Sequence, residues 1–365
     1  MATLVCILSK ETLPNISFIK EFKTQITNYI FFTSKEMEDL LVSKNIINSL
    51  KLDNNQINII EIDANSVVKI DDKLKQLSLK KNEEYFVNIT GGNKLMSTLI
   101  FDYFKKLKSI IYYSPINYAT HQILYPEYKE IDKNKSLQVS LDEYLNAYGY
   151  EITSKGIKSN ITSLSKFFEK VIKHDNPGSV NEIKKATFQN DGIENKEFYM
   201  GGWFEEFLCE TLMKEFQLNE EQIGFNIKIK NNLNFNQSNN DQEIDVLFIY
   251  NNTLHAIECK VYLGKNIKID KISTPMFKLA AITNNLGLSM KKYVCILGDY
   301  TTDINSNQRL DDLAQKLKIN KVMTLADFKR KNFINRMEIN NPSNYSSNKI
   351  NEDMLFELKN KFNKK

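Results

Sequence analysis

The sequence predicts an α/β protein of two domains, and three observations carry that reading. Over roughly the first 120 residues, apolar runs of strand length alternate with polar segments of helical spacing. A Gly-Gly turn leads one of those strands straight into an amphipathic helix. After a polar stretch broken by Gly and Pro, the second half opens on an aromatic helix and continues into a hairpin with opposed charges. A chain of 365 residues is long enough for two domains.

Taken in order, the first element is the apolar run inside "MATLVCILSKE". No basic segment precedes it, so it reads as a strand and not as a signal peptide. With 29–34, 57–63, 85–90 and 109–114 it makes five β-branched or aromatic runs, each followed by helical spacing. That alternation predicts a parallel sheet with helices on both faces. Such sheets bind ligands beyond the carboxyl ends of their strands, where the strand order reverses. Ser9-Lys10 and Thr33-Ser34 end the first two strands. The fourth runs into Thr90-Gly91-Gly92-Asn93-Lys94 and a helix whose Met96, Leu99, Ile100, Tyr103, Phe104 and Leu107 share one face. The glycines permit a sharp turn and close approach of another group to the backbone. Asn93 is placed to cap the helix, whose N-terminus favours an anion, and Lys94 adds a charge. A plain βα turn packed on glycine explains the same residues without a ligand. There is neither a GxxxxGK[ST] loop nor a GxGxxG turn, so no Walker-type or nicotinamide site is expected.

Residues 141 to 195 are polar and broken, with short helical stretches such as 161–172. They read as a helical connector, giving domains at 1–145 and 196–365 with 146–195 between them. The second domain opens with "YMGGWFEEFLCETLMKEF", where Phe204, Phe207, Leu208, Leu212 and Phe216 form an apolar helical face. Glu205 and Glu206 sit in its first turn, where acids suit the helix dipole. A strand, a hairpin, a helix (274–288) and a further strand follow. A last amphipathic helix is expected after residue 350.

The hairpin, "EIDVLFIYNNTLHAIECK" (243–260), holds the chemistry. Asn tolerates the positive φ of a two-residue hairpin turn, so Asn251-Asn252 sets Tyr250 opposite Thr253. Asp245 then faces Glu258 and Glu243 faces Lys260, all four on one face. Directly opposed like charges are destabilising. A Glu243–Lys260 surface ion pair explains two of the four and leaves the opposed acids unaccounted for, so a cation belongs between them. An oxygen-seeking divalent ion, Mn²⁺ or Mg²⁺, would relieve the repulsion, lower the pKa of a bound water and stabilise charge on a phosphate.

Composition excludes more than it assigns. The formal charge is +4, which permits nucleic-acid contact and does not argue for it. No run of about 18 apolar residues is present, so no transmembrane helix is expected. Cys6, Cys209, Cys259 and Cys295 are scattered, with no CxxC pair, and fit reduced core thiols of a cytoplasmic protein. His121, His174 and His255 are isolated, and no GxSxG motif exists. Lys265, Lys268, Lys271 and Lys278 follow the hairpin and suit a phosphate backbone, or simply a solvated face.

With Gly201 to Glu205 upstream, Asp245 and Glu258-Cys259-Lys260 resemble the PD-(D/E)xK nuclease core, a restriction-endonuclease-like fold. The resemblance implies that Asp245 and Glu258 bind a divalent metal with the Cys259 carbonyl. It implies that Lys260 is the catalytic lysine and that Glu205, or Glu206 in its place, is the helix acid. The leading Pro of that motif is absent: Glu243-Ile244 precede Asp245. The amino-terminal half resembles a CARF domain, the Rossmann-like fold of CRISPR systems that senses cyclic oligoadenylates, through the Thr90–Lys94 turn and the polar strand ends. The order of the two is similar to the ancillary nucleases of type III CRISPR systems. Implied are a cyclic oligoadenylate activator (cyclic tetra-adenylate foremost), a DNA or RNA substrate and a homodimer paired through the sensor domains. Two alternatives stay open: a repair or restriction nuclease without such control, and a ligand-sensing regulator that binds nucleic acid without cutting.

Overall fold

The computed structural model describes residues 2–81, 83–116, 118–134, 137–159, 164–173, 198–232, 241–262, 267–298, 304–330, 333–337 and 339. Two sheets organise them. The first has seven strands: β1 (Ala2–Ile7), β2 (Ile26–Thr33), β3 (Ile57–Glu61), β4 (Glu84–Asn88), β5 (Ile110–Tyr113), β6 (Thr120–Tyr125) and β7 (Lys129–Asp132). Their order is β3-β2-β1-β4-β5-β6-β7. β1 to β5 are mutually parallel where they pair, and β6 and β7 close the sheet antiparallel. The five parallel strands match the five apolar runs of the sequence. The order reverses between β1 and β4, so the Gly-Gly turn stands at the switch point.

Helices cover both faces, as double-sided apolar strands require. On one face Val5, Ile7, Phe32 and Val87 pack with Ile70 and Leu74 of α4 (Val67–Lys75) and with Met96, Ile100 and Phe104 of α5 (Lys94–Lys106). On the other, Leu4, Cys6 and Phe31 meet Phe18 and Phe22 of α1 (Leu13–Phe22). There too Ile46 projects from α3 (Val42–Leu50), which follows the short α2 (Lys35–Asp39). His121 is buried beside Phe18, Phe22 and Tyr112, between Ser114 Oγ at 2.7 Å and Glu21 Oε2 at 2.8 Å.

The second sheet runs β13-β12-β11-β10-β9-β8. Its strands are β8 (Tyr150–Ser154), β9 (Ile223–Asn231), β10 (Gln242–Tyr250), β11 (Thr253–Val261), β12 (Lys291–Leu297) and β13 (Lys321–Met323). β8 lies in the stretch expected to be connector; it pairs antiparallel with β9 through Tyr150↔Asn231 and Ile152↔Ile229. Tyr150 and Ile152 alternate with polar residues along this edge strand, and only Tyr150 is fully buried. Of the helix expected at 161–172, α7 (Leu164–Lys173) lies within the described residues. It packs Phe167 and Phe168 against α8 (Trp203–Glu215), on the sheet face carrying Val246, Phe248 and Ile257. The opposite face, with Leu247, Leu254 and Ala256, is covered by Ile272, Met276 and Leu279 of α9 (Ile269–Thr283). α10 (Ile304–Lys316) follows β12. The expected helix after residue 350 lies outside the described residues.

The domains meet across α6 (Leu141–Ala147). Ser49 donates to the Glu143 carbonyl at 2.5 Å, and Lys20 pairs with Glu143 at 2.6 Å. From the other side, Leu141 N–H reaches the Glu221 carbonyl at 2.9 Å, and Tyr144 donates to the Leu286 carbonyl at 2.8 Å. Gly287 needs its φ of +105°, and a side chain there would run into the Tyr144 hydroxyl. Glu11, in the loop leaving β1, accepts from Tyr148 Oη and, at 2.8 Å, from Leu288 N–H.

Candidate active site and sensor loop

The hairpin folds as its sequence dictates. Asn251 and Asn252 take φ of 50° and 55°, and the ladder runs from Tyr250↔Thr253 to Val246↔Ile257. Beyond that pair a side chain takes over from the backbone: Cys259 N–H donates to Asp245 Oδ2 at 2.6 Å. Asp245 and Glu258 are both buried, at 2% and 0% exposure, on the sheet face that α9 covers.

The cation demanded by the opposed acids is supplied twice over. Lys260 Nζ lies 2.7 Å from Glu258 Oε1, 3.4 Å from Asp245 Oδ2 and 2.9 Å from the Cys259 carbonyl. Lys278 Nζ, from α9, lies 2.9 Å from Glu258 Oε2 and 3.5 Å from Asp245 Oδ1. Burial opposes charge on Lys260, but Asp245 and Glu258 outweigh it and hold its pKa above the usual lysine range. Burial and Asp245 push Glu258 upward, with both lysines pulling it back. Lys260 therefore pairs with both acids and not with Glu243 alone, as a surface ion pair would have it.

The two helix acids part company. Glu205 is half-buried, and burial, followed by the charge of Asp245, lifts its pKa to about 8, with Lys260 opposing. The charges of Asp245, Glu243 and Glu258 all act on it. Glu206 is buried elsewhere, accepting from Ser159 N–H at 2.7 Å and Ser159 Oγ at 3.0 Å. His255 lies on the other sheet face, stacked between Phe248 and Tyr293, and burial drops its pKa to about 3.

Among the described residues no three His, Cys, Asp or Glu side chains gather as a metal-holding cluster. What is present still suits a hard divalent ion. The candidate donors are all oxygens: the Asp245 and Glu258 carboxylates and the Cys259 carbonyl. Glu258 Oε2 has an ammonium at 2.9 Å yet no aligned hydrogen bond, which leaves a lone pair open to a non-directional cation.

Of the lysines expected to track phosphate, Lys268 caps α9 without a side-chain bond, and Lys271 stands 5.5 Å over the Tyr262 ring. Lys265 lies outside the described residues. Lys278 belongs among the acids, which its helical spacing alone did not reveal. The signal available was a lysine on the border of an apolar stripe, flanked by the buried Met276 and Leu279.

At the switch point of the first sheet the glycines are sterically required. A Cβ on Gly91 would lie 2.0 Å from the Ile7 carbonyl oxygen, and one on Gly92, at φ +71°, 2.4 Å from Ile7 Cγ2. Two buried asparagines brace the turn. Asn15 Nδ2 donates to the Ile7 carbonyl at 2.9 Å, and Asn88 Nδ2 to Asn15 Oδ1 at 3.1 Å. Thr90 donates to Asn88 Oδ1 at 2.5 Å and accepts from Ser114 N–H at 2.6 Å. Asn93 caps α5 through Met96 N–H at 2.9 Å, and Lys94 is exposed. Ser9 donates to the Glu11 carbonyl at 3.1 Å, and Lys10 pairs with Glu36 at 2.7 Å. Thr33 is buried with its hydroxyl committed to Glu38 at 2.7 Å, while Ser34 caps α2. Asn15 and Asn88 escaped the sequence reading, although an Asn inside the apolar strand "YFVNIT" marks one of them.

Comparison with known proteins agrees with both halves. Residues 3–144 match the family model for the Card1 CARF domain, and residues 193–322 match that for the Card1-like endonuclease domain. Can2 from Sulfobacillus thermosulfidooxidans, solved in complex with cyclic tetra-adenylate (cA4), is similar in fold at 19% identity and TM-score 0.66. The match covers 89% of this chain and 95% of that one. Protein VC1899 from Vibrio cholerae matches at 16% identity and TM-score 0.68, over 90% of this chain and 95% of its own. A type III CRISPR defence DNA nuclease activated by cyclic oligoadenylate matches at 12% identity and TM-score 0.57, over 82% of this chain and 46% of that one. No curated protein matches. The chain thus carries a Card1 CARF domain followed by a Card1-like endonuclease domain, the two together spanning most of its length.

Proposed function

We propose that this protein is a divalent-metal-dependent endonuclease that cyclic oligoadenylate switches on, acting as a homodimer in type III CRISPR antiviral defence. The observation that carries the nuclease reading is the buried Asp245–Glu258 pair bridged by two ammonium groups. Asp245, Glu258 and the Cys259 carbonyl would hold Mn²⁺ or Mg²⁺, with Glu205 beside them. When bound, such an ion lends charge to the phosphate and acidifies a water. Without metal, Asp245 and Glu258 hold Lys260 protonated; beside a bound ion it would orient the attacking water or steady phosphate charge. In the metal-free protein burial keeps Glu205 protonated up to about 8, which suits a hydrogen bond to a water or phosphate oxygen. The product is a hydrolysed phosphodiester bond in DNA or RNA.

Sensor control is supported by the switch-point turn and by Glu11. Cyclic tetra-adenylate, the ligand named for the similar Can2, is the first activator to try. An anionic ring fits a turn that presents backbone at Gly91–Gly92, a helix N-terminus and Lys94. A rotationally symmetric ring suits a two-fold site between two chains. Glu11 leaves β1 two residues after Ser9 and bonds Leu288, in the loop after α9. A shift of the β1 loop is thereby felt at the helix that carries Lys278.

The deciding experiment incubates labelled single- and double-stranded DNA and RNA with each cyclic oligoadenylate and with Mn²⁺ or Mg²⁺. Cutting that needs both ring and metal is expected. Equal cutting without any ring would leave an uncontrolled repair or restriction-type nuclease. Binding without cutting under every condition would leave a regulator.

A further inference from the structure

We propose that Lys278 is an internal counter-cation of the nuclease centre. It holds the position a divalent ion takes between Asp245 and Glu258, and it must leave the carboxylates for that ion to enter. The inference rests on the metal-nuclease reading above and adds the residue that gates it.

The atoms single Lys278 out. Asp245 Oδ2 is already committed to the Cys259 N–H at 2.6 Å and faces Lys260 at 3.4 Å. Glu258 Oε1 takes Lys260 at 2.7 Å. Lys278 reaches Asp245 Oδ1 at 3.5 Å and straddles the Glu258 carboxylate, 3.0 Å from Oε1 and 2.9 Å from Oε2. The bond to Asp245 is at the long limit, and Glu258 Oε2 has no aligned hydrogen bond from Lys278. Both lysines carry charge against two acids, so a divalent ion entering beside them would overfill the centre. One ammonium has to go, and Lys260 is tied by its own strand and the Cys259 carbonyl. Lys278 stands on a separate helix with its side chain 37% exposed, so a rotamer change takes it into solvent.

Metal affinity is then the intrinsic affinity reduced by the fraction of time Lys278 sits elsewhere. The test titrates Mn²⁺ into the full-length protein without substrate, following the loss of free Mn²⁺ signal by electron paramagnetic resonance. Lys278→Met removes the competitor and should lower the Mn²⁺ Kd roughly 5–10-fold, while slowing cutting at saturating Mn²⁺. Lys278→Arg keeps the charge with a better fork for carboxylates and should raise the Kd. A purely structural lysine predicts the opposite for Met, weaker metal binding through a disordered acid pair. Unchanged or weaker binding in Lys278→Met overturns the gating role. If that variant does not fold, the Arg variant decides: unchanged or tighter binding overturns it. A wild type whose Mn²⁺ binding is absent, or survives in Asp245→Asn, overturns the metal reading itself and this inference with it.

Discussion

Glu205→Gln isolates the helix acid, and its effect is a matter of pH. The folded protein holds this carboxyl protonated up to about 8, mainly because it is buried, against 4.5 for a free glutamate. Between those values the folded state carries a proton that the unfolded state has lost, so the stability of the wild type falls as pH rises through that window. Below 4.5 the contribution is fully present, and above about 8 the loss is complete and levels off. At about 1.4 kcal/mol per pH unit the whole interval corresponds to roughly 4–5 kcal/mol. Solvent reaching a half-buried carboxyl reduces this to about 2–4 kcal/mol. Gln mimics the protonated form and has nothing to lose. Thermal melts in EDTA should therefore show Glu205→Gln and wild type close together at pH 4.5–5. The variant should be ahead by several degrees at pH 8, at about 2–4 °C per kcal/mol. The gap should stop widening above pH 8.5. Parallel melting curves across that range would refute a proton held at Glu205.

The remaining predictions touch the other parts of the machine. Asp245→Ala and Glu258→Ala should abolish cutting. Opposed acids alone would make them stabilising, but with two ammonium groups already in place each should cost about 1–3 kcal/mol, measured by urea denaturation in EDTA. Lys260→Ala should cut far more slowly while still binding metal; a rate equal to wild type would reduce it to an ion-pair partner. Gly92→Ala combines a left-handed φ with a clash on Ile7 and should cost about 2–4 kcal/mol in the sensor domain. Its activator requirement should rise with an unchanged Mn²⁺ dependence. Lys94→Ala should leave stability within about 0.5 kcal/mol and weaken activator binding, read by calorimetry at one ring per two chains. Glu11→Gln should bind activator as wild type does yet gain less cutting from it, because the bond to Leu288 is weakened; equal stimulation would remove Glu11 from the route.

Much of this protein is written in local sequence. Five apolar runs followed by helical spacing specify a parallel sheet because its central strands bury both faces. Asn251-Asn252 specifies the hairpin register, since two positive-φ residues at a two-residue turn leave one pairing, and that register opposes Asp245 to Glu258. The Gly91-Gly92 turn announces close packing, for only glycine tolerates what Ile7 leaves free. Other features needed the tertiary structure because they depend on partners far along the chain. Glu205 and Glu206 are equivalent in sequence; the bond from Ser159 takes Glu206 away and leaves Glu205 facing the hairpin. Residues 150–154 alternate apolar and polar over too short a run, in a polar stretch, to declare a strand, and pair along the open edge of β9. Thr33 ends a strand where a ligand residue is expected, yet Glu38 draws its hydroxyl inward. Lys278 lies 20 residues from Glu258 in the chain and 2.9 Å from its carboxylate in space. Helical periodicity could say that it borders the apolar face of α9, but only the packing of α9 over the sheet brings its charge to the acids.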